Sequence, residues 1–176
     1  QRGNSQYVVQ FDNTGYITTS SRPNIKRGMV SDPFANTVYG VACFGIVDLA
    51  QKAHPLYSST YNMWHNMVAR CYSPSHPCYA LYGGKGVSVC DRWLVFSNFL
   101  SDIHKIPGYE YWRENTGEYD IDKDYYQSTV YSPDTTIFLE TWYNKLLSSD
   151  YVPIEVHGIG KFLSVKHFLQ HVGSNV

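Results

Sequence analysis

Apolar residues recur at intervals of three and four through residues 57–71, where Tyr57, Tyr61, Trp64, Met67 and Val68 share one side and Ser58, Ser59 and Thr60 are available as caps. This spacing predicts an amphipathic helix. A second helix is expected over 92–104, with Trp93, Phe96, Phe99, Leu100 and Ile103 on one face. Near the start the period shortens: YVVQF at 7–11 and YITTS at 16–20 read as two strands joined by a turn at 13–15, and VYGVACFG at 38–45 as a third. The glycine-rich YGGKG at 82–86 reads as a tight loop, VSVC at 87–90 as a short extended piece and 108–117 as a loop. Beyond it, 119–126 and 130–139 read as strands and a helix is expected from about Trp142. At the far end a strand at 152–156, a turn at 158–160 and a helix over 164–171 with Ser164 as N-cap complete the pattern. The fold class expected is α+β, in three parts: a small β-rich unit over 6–50, a core over 57–149 and a strand-turn-helix appendage over 150–176.

A chain of 176 residues with 43% hydrophobic residues has enough apolar mass for a real core. Charged residues make up only 16% and aromatic residues another 16%, with sixteen tyrosines, a composition that suits a binding surface. The net charge of −1 argues against a broad basic face. Basic residues are nevertheless grouped, at Arg22, Lys26 and Arg27 and again at Arg70, Lys85 and Arg92, though groups this small also arise as scattered solvated charge. No apolar run approaches the roughly 18 residues of a membrane span, and no signal-peptide pattern opens the sequence. The expectation is a soluble, cytoplasmic protein that does not engage a membrane. The four cysteines, Cys43, Cys71, Cys78 and Cys90, are expected as reduced thiols or as part of a zinc site rather than as disulfides.

Candidate chemistry concentrates in YDIDKDYY at 119–126, followed by VYSPDTTIFL at 130–139 and WYNK at 142–145. Read for shape, this is a carboxylate-bearing strand, a turn-rich connection, a second strand and a helix presenting an amide. That is the outline of a ββα site able to hold one divalent ion beside a phosphate. Asp122 lies on the strand and Asn144 on the helix, 22 residues later. Asp120 and Asp124 share Asp122's parity, so either is a candidate second carboxylate if the strand stays extended. An arbitrary run of alternating aspartates is more often a solvated edge strand.

The blocks WHNM at 64–67 with RCY at 70–72, YGGKGV at 82–87, VCDRW at 89–93 with Phe96 and Phe99, IDKD at 121–124, YSPD at 131–134, and Asn144 resemble, in order and spacing, a phage-type HNH endonuclease of the ββα-metal class. The resemblance implies an HNH-like core, a DNA substrate, and Mg²⁺ or Mn²⁺ held by Asp122 and Asn144. Lys123 stands where most such enzymes have the histidine that activates water. A lysine, ordinarily titrating at about 10.4, is a poor base but can hold a phosphate. A related branch of the class uses a tyrosine near the metal, and Tyr82 sits similarly, which makes it the leading base candidate; a structural tyrosine packing the loop is an equal alternative. His65 and His104 are weaker candidates. Thr135 replaces the asparagine usual after YSPD, and Thr136 a usual cysteine. Cys71, His76, Cys78 and Cys90 form a candidate Cys₃His zinc set of weak spacing.

The appendage is similar to the small DNA-binding segments found beside HNH cores. It would offer Lys166, His167 and His171 to DNA, while Val165, Phe168 and Leu169 equally fit a helix packed on the core. Arg70, Lys85 and Arg92 are the expected phosphate contacts of the core, and the N-terminal hairpin with Tyr16, Lys26 and Arg27 a second clamp. The functional expectation is therefore an endonuclease of phage or mobile-element type, with a homodimer as the arrangement that would cut both strands. The competing expectation is a catalytically degenerate nuclease fold that binds, as a virion component or an inhibitor of a host protein.

Overall fold

A computed structural model describes residues 5–147, 154–162 and 168. Contacts divide the chain into two units, Gln1–Ile103 and His104–Val176, a cut that falls inside the stretch 57–149.

The first unit opens with an antiparallel hairpin of β1 (Gln6–Gln10) and β2 (Ile17–Ser21), in which Val8 faces Thr19. Its turn closes through Gly15 at φ 72°, whose amide donates to the Phe11 carbonyl at 2.8 Å. A short helix, α1 (Arg22–Lys26), follows and ends in a Schellman motif: the Gly28 amide reaches the Ile25 carbonyl and the Met29 amide the Asn24 carbonyl. Helix α2 (Leu49–Ala53) is held by a reciprocal capping box between Asp48 and Gln51. Helix α3 (Tyr57–Tyr72) carries the predicted apolar stripe into the core, with Trp64, Met67 and Val68 fully buried. There it meets Trp93, Phe96 and Phe99, and the Trp64 indole donates to the Trp93 carbonyl at 2.6 Å.

Two expectations for this unit are corrected. The stretch 38–45 is not a strand: Val38 and Ala42 bridge each other around a turn in which Tyr39 and Gly40 both take positive φ, 51° and 73°. Cys43 then pairs with Val95 in a parallel bridge, Phe96 donating to the Cys43 carbonyl at 2.9 Å. That long-range pairing draws Val95 into an extended conformation, so the helix expected over 92–104 is broken into a 3₁₀ turn at Asp91–Leu94 and α4 (Phe96–Asp102), with a further turn at Ile103–Lys105. The glycine-rich loop remains a loop with one tight turn at Gly83–Lys85, followed by a two-residue strand, β3 (Ser88–Val89). A Cβ on Gly83 would lie 2.1 Å from the Cys71 carbonyl oxygen, so only glycine lets the loop approach α3 this closely.

The second unit starts with a helix where a loop was expected, α5 (Tyr109–Glu114), preceded by Gly108 at φ 83°. Its Trp112 is buried and stacked on Phe138, ring centroids 5.1 Å apart. Strand β4 (Tyr119–Asp122) pairs antiparallel with β6 (Ile137–Glu140), Ile121 facing Phe138 and Asp122 facing Ile137. Between them lie a 3₁₀ turn at Asp124–Tyr126 and β5 (Val130–Tyr131). Helix α6 (Thr141–Leu147) follows β6 without a gap and packs on both β4 and β6. A hairpin of β7 (Ile154–Val156) and β8 (Gly160–Phe162) contains the expected strand and turn and adds a second strand that was not expected. Of the helix expected over 164–171 only Phe168 is described, helical and 5.2 Å from the Phe162 ring; Ser164, Val165, Lys166, His167, Leu169 and His171 lie outside the described residues. The architecture is α+β, with small two-stranded sheets and several helices. Among the described residues no helix is long and apolar enough to cross a membrane.

Candidate functional site

Asp122 ends β4, opposite Ile137 of β6, and is only 3% exposed. Its Oδ1 accepts the Tyr125 amide at 2.8 Å, a contact created because the chain turns into a 3₁₀ turn immediately after the strand. Burial pushes the carboxyl pKa up, and the neighbouring Asp124 charge adds to this, against the lowering effects of the Tyr125 and Asp124 amides and of Lys123. A carboxylate so desolvated gains from a nearby cation.

Asn144 is half-buried on the helix that packs against Asp122's strand. Strand, strand and helix are therefore continuous in this unit, with the carboxylate on the first and the amide on the last. Lys123 is buried. Its ammonium pairs with Asp124 Oδ1 at 2.5 Å and lies 5.6 Å from the centroid of the Tyr131 ring, itself 1% exposed. Asp124 thus differs from the expectation of a second strand carboxylate. The strand stops at Asp122, parity ends with it, and Asp124 turns to the lysine instead. Asp120 is exposed.

Thr135 braces the loop that precedes β6. Its hydroxyl donates to the Val130 carbonyl at 2.6 Å and meets the Ser132 hydroxyl at 2.7 Å, while the buried Thr136 accepts the Ser132 amide at 3.2 Å. The loop between Asp122's turn and β6 is thereby tied by hydroxyls.

Arg70, Tyr82, Lys85 and Arg92 belong to the first unit. Tyr82 is half-buried, its ring 5.0 Å from the Arg70 guanidinium carbon, with Arg70 Nη1 3.5 Å from the phenol oxygen. Lys85 is exposed on the glycine loop. Arg92 was an expected phosphate contact, but its Nε and Nη2 are engaged by the buried Asp102 at 2.6 and 3.1 Å, and the same carboxylate accepts the Trp93 indole at 3.1 Å. Sequence reasoning missed Asp102, which looks in the sequence like an exposed helical aspartate. No signal in the sequence pointed to it: on the helix expected over 92–104, Asp102 would lie half a turn away from Trp93, and only the break at Val95 brings the two together.

The zinc expectation is not supported. Among the described residues no group of three or more His, Cys, Asp or Glu is arranged to hold a metal ion. Cys71 is buried, Cys78 and Cys90 are half-buried free thiols, and His76 Nδ1 accepts the Cys78 amide at 3.1 Å instead of offering itself as a ligand. His65 lies between the Tyr39 and Tyr61 rings, at centroid distances of 5.1 and 5.7 Å, and His104 is exposed.

No protein-family model, curated protein or solved structure matches the chain.

Proposed function

We propose that the chain is a metal-dependent DNA endonuclease of HNH type, hydrolysing phosphodiester bonds at Asp122 and Asn144. The observation that carries the reading is the strand-strand-helix unit in which a buried, charge-disfavoured carboxylate and a helical amide stand on elements packed together. The donor set fits Mg²⁺ or Mn²⁺: one anionic and one neutral oxygen are hard ligands, and such ions keep several waters. When bound, the ion would polarise the phosphate and ease departure of the leaving oxygen.

The chain's own residues have distinct tasks in this reading. Asp122, oriented by the Tyr125 amide, presents an anionic oxygen fixed in direction. Asn144 supplies the second donor from the helix. Lys123, fixed by Asp124 and Tyr131, gives positive charge next to the carboxylate, suited to stabilising charge that develops on a phosphate. Tyr82 keeps the water-activating role only as the resemblance implies it.

A second reading, a nuclease fold that binds without cutting, is favoured by one observation: Asp124 already neutralises the lysine. Supercoiled plasmid incubated with protein and Mn²⁺ separates the two. Cleavage lost in both Asp122→Ala and Asn144→Ala is the expected result. Cleavage that survives both overturns the site, and no cleavage by the unaltered protein favours the binding reading.

A further inference from the structure

The two units differ in charge. Residues 1–103 contain eight lysines and arginines against five aspartates and no glutamate, a net of +3; residues 104–176 contain six against ten acidic residues, a net of −4; together they give the chain's −1. The near-neutral total conceals a basic first unit.

That unit also contains a groove of about 600 Å³, running from Thr18 and Ser20 of the hairpin past Met29 and Ile46 to Phe44 and Tyr57. A cavity of this size is in the range of ligand sites. Phe44 is stacked on Tyr61, with centroids 5.5 Å apart and planes 16° apart, yet 40% of it is exposed; Met29 and Ile46 are 68% and 60% exposed. Trp64 and Phe96 also meet this ring, at centroid distances of 6.4 and 6.2 Å, and a ring so braced and still part-exposed in the groove wall offers surface on which a base can stack.

One cation lines the groove, and three more lie on the chain that connects two of its lining residues. Lys52 lines it, and α1, with Arg22 and Lys26 and followed by Arg27, is the chain between Ser20 and Met29, which both line it. All four are exposed, and among the described residues none of them is ion-paired. Two acids lie among these four cations: Asp32, which also lines the groove and accepts the Phe34 amide at 2.9 Å and the Thr14 hydroxyl, and Asp48, which caps α2.

We propose that this groove binds single-stranded nucleic acid, a base entering to stack on Phe44 while Lys26, Arg27 and Lys52 hold the flanking phosphates. The charge selects an anionic polymer, and the recessed ring selects unpaired bases, because a duplex hides its base faces within the stack. The site lies wholly in the first unit, and its occupation does not depend on the nuclease reading.

The test is fluorescence anisotropy of labelled oligo(dT), its duplex with oligo(dA), and poly-glutamate, each with the full chain in EDTA so that no metal-dependent cleavage intrudes. Expected is binding of oligo(dT) at least about ten-fold tighter than of the duplex, with no comparable binding of poly-glutamate. Lys26→Glu with Arg27→Glu should weaken binding about ten-fold or more and lower the slope of log affinity against log salt by about 1.4, two phosphates' worth. Phe44→Leu, which keeps apolar volume, should weaken binding about five-fold or more while leaving the salt slope unchanged, and Phe44→Trp should restore it. Ultraviolet crosslinking should place the adduct on Phe44 or Tyr57. No binding, equal binding of duplex or poly-glutamate, or variants without effect would overturn the proposal. The two readings fail separately: an unaltered chain that binds oligo(dT) in EDTA but cuts no plasmid with Mn²⁺ counts only against the nuclease reading, and one that cuts plasmid but does not bind oligo(dT) counts only against the groove.

Discussion

The two units solve the problem of holding polar chemistry in different ways. In the first, indoles and phenyl rings dominate: Trp64, Trp93, Phe96 and Phe99 fill the interior, and the one buried carboxylate among the described residues, Asp102, is satisfied by Arg92 and the Trp93 indole. In the second, an aspartate and a lysine adjacent in sequence are both buried at the end of a four-residue strand, and burial leaves Asp122's charge disfavoured. Asp102 is a carboxylate whose partners are built in; Asp122 is one that gains from a partner brought from outside. The difference separates a structural acid from a candidate ligand, although both are aspartates with almost no exposed surface.

That contrast yields predictions of decreasing size. Trp64→Ala in the first unit removes a fully buried indole and its 2.6 Å hydrogen bond, and should cost about 3–5 kcal/mol in urea denaturation. Asp102→Ala strands the buried Trp93 N–H and unpairs Arg92, a loss of about 2–3 kcal/mol. Gly83→Ala forces the glycine loop away from the Cys71 carbonyl and should cost about 1–3 kcal/mol.

Asp122 should respond in the opposite direction. Its pKa is raised in the folded state, so the folded chain holds a proton at pH values where the unfolded chain has released it. The destabilising effect is absent below the ordinary carboxylate value near 3.9, grows as pH rises toward the raised value and is complete above it. Asp122→Asn keeps an oxygen for the Tyr125 amide and loses the charge. It should therefore raise Tm by a few degrees at about pH 7.5, and the gain should vanish by about pH 3. An Asp122→Asn variant less stable than the parent at neutral pH would make this aspartate structural, like Asp102.

Legibility in the sequence followed the range of the interactions. The stripe of α3 is local, and its expected span of 57–71 differs from Tyr57–Tyr72 by one residue. The N-terminal hairpin is likewise local, set by Gly15 and alternation. What misled was distant. The helix over 92–104 breaks because Val95 pairs with Cys43, 52 residues away, and α5 forms inside an apparent loop because Trp112 finds Phe138. At the candidate site the strand that carries Asp122 and the helix that carries Asn144 were legible from residue type and order. The turn after Asp122, which gives Asp124 to Lys123, was not, because an extended DIDKD and one that turns after the second aspartate have the same sequence pattern.

Under the proposed function, Asp122 and Asn144 share one divalent cation. Calorimetric titration of the nucleic-acid-free chain with Mn²⁺ tests it most directly, beside Asp122→Ala and Asn144→Ala. Expected are one ion per chain, binding abolished in the first variant and at least about ten-fold weaker in the second. Equal Mn²⁺ affinity in all three proteins, or none in the unaltered chain, would contradict it.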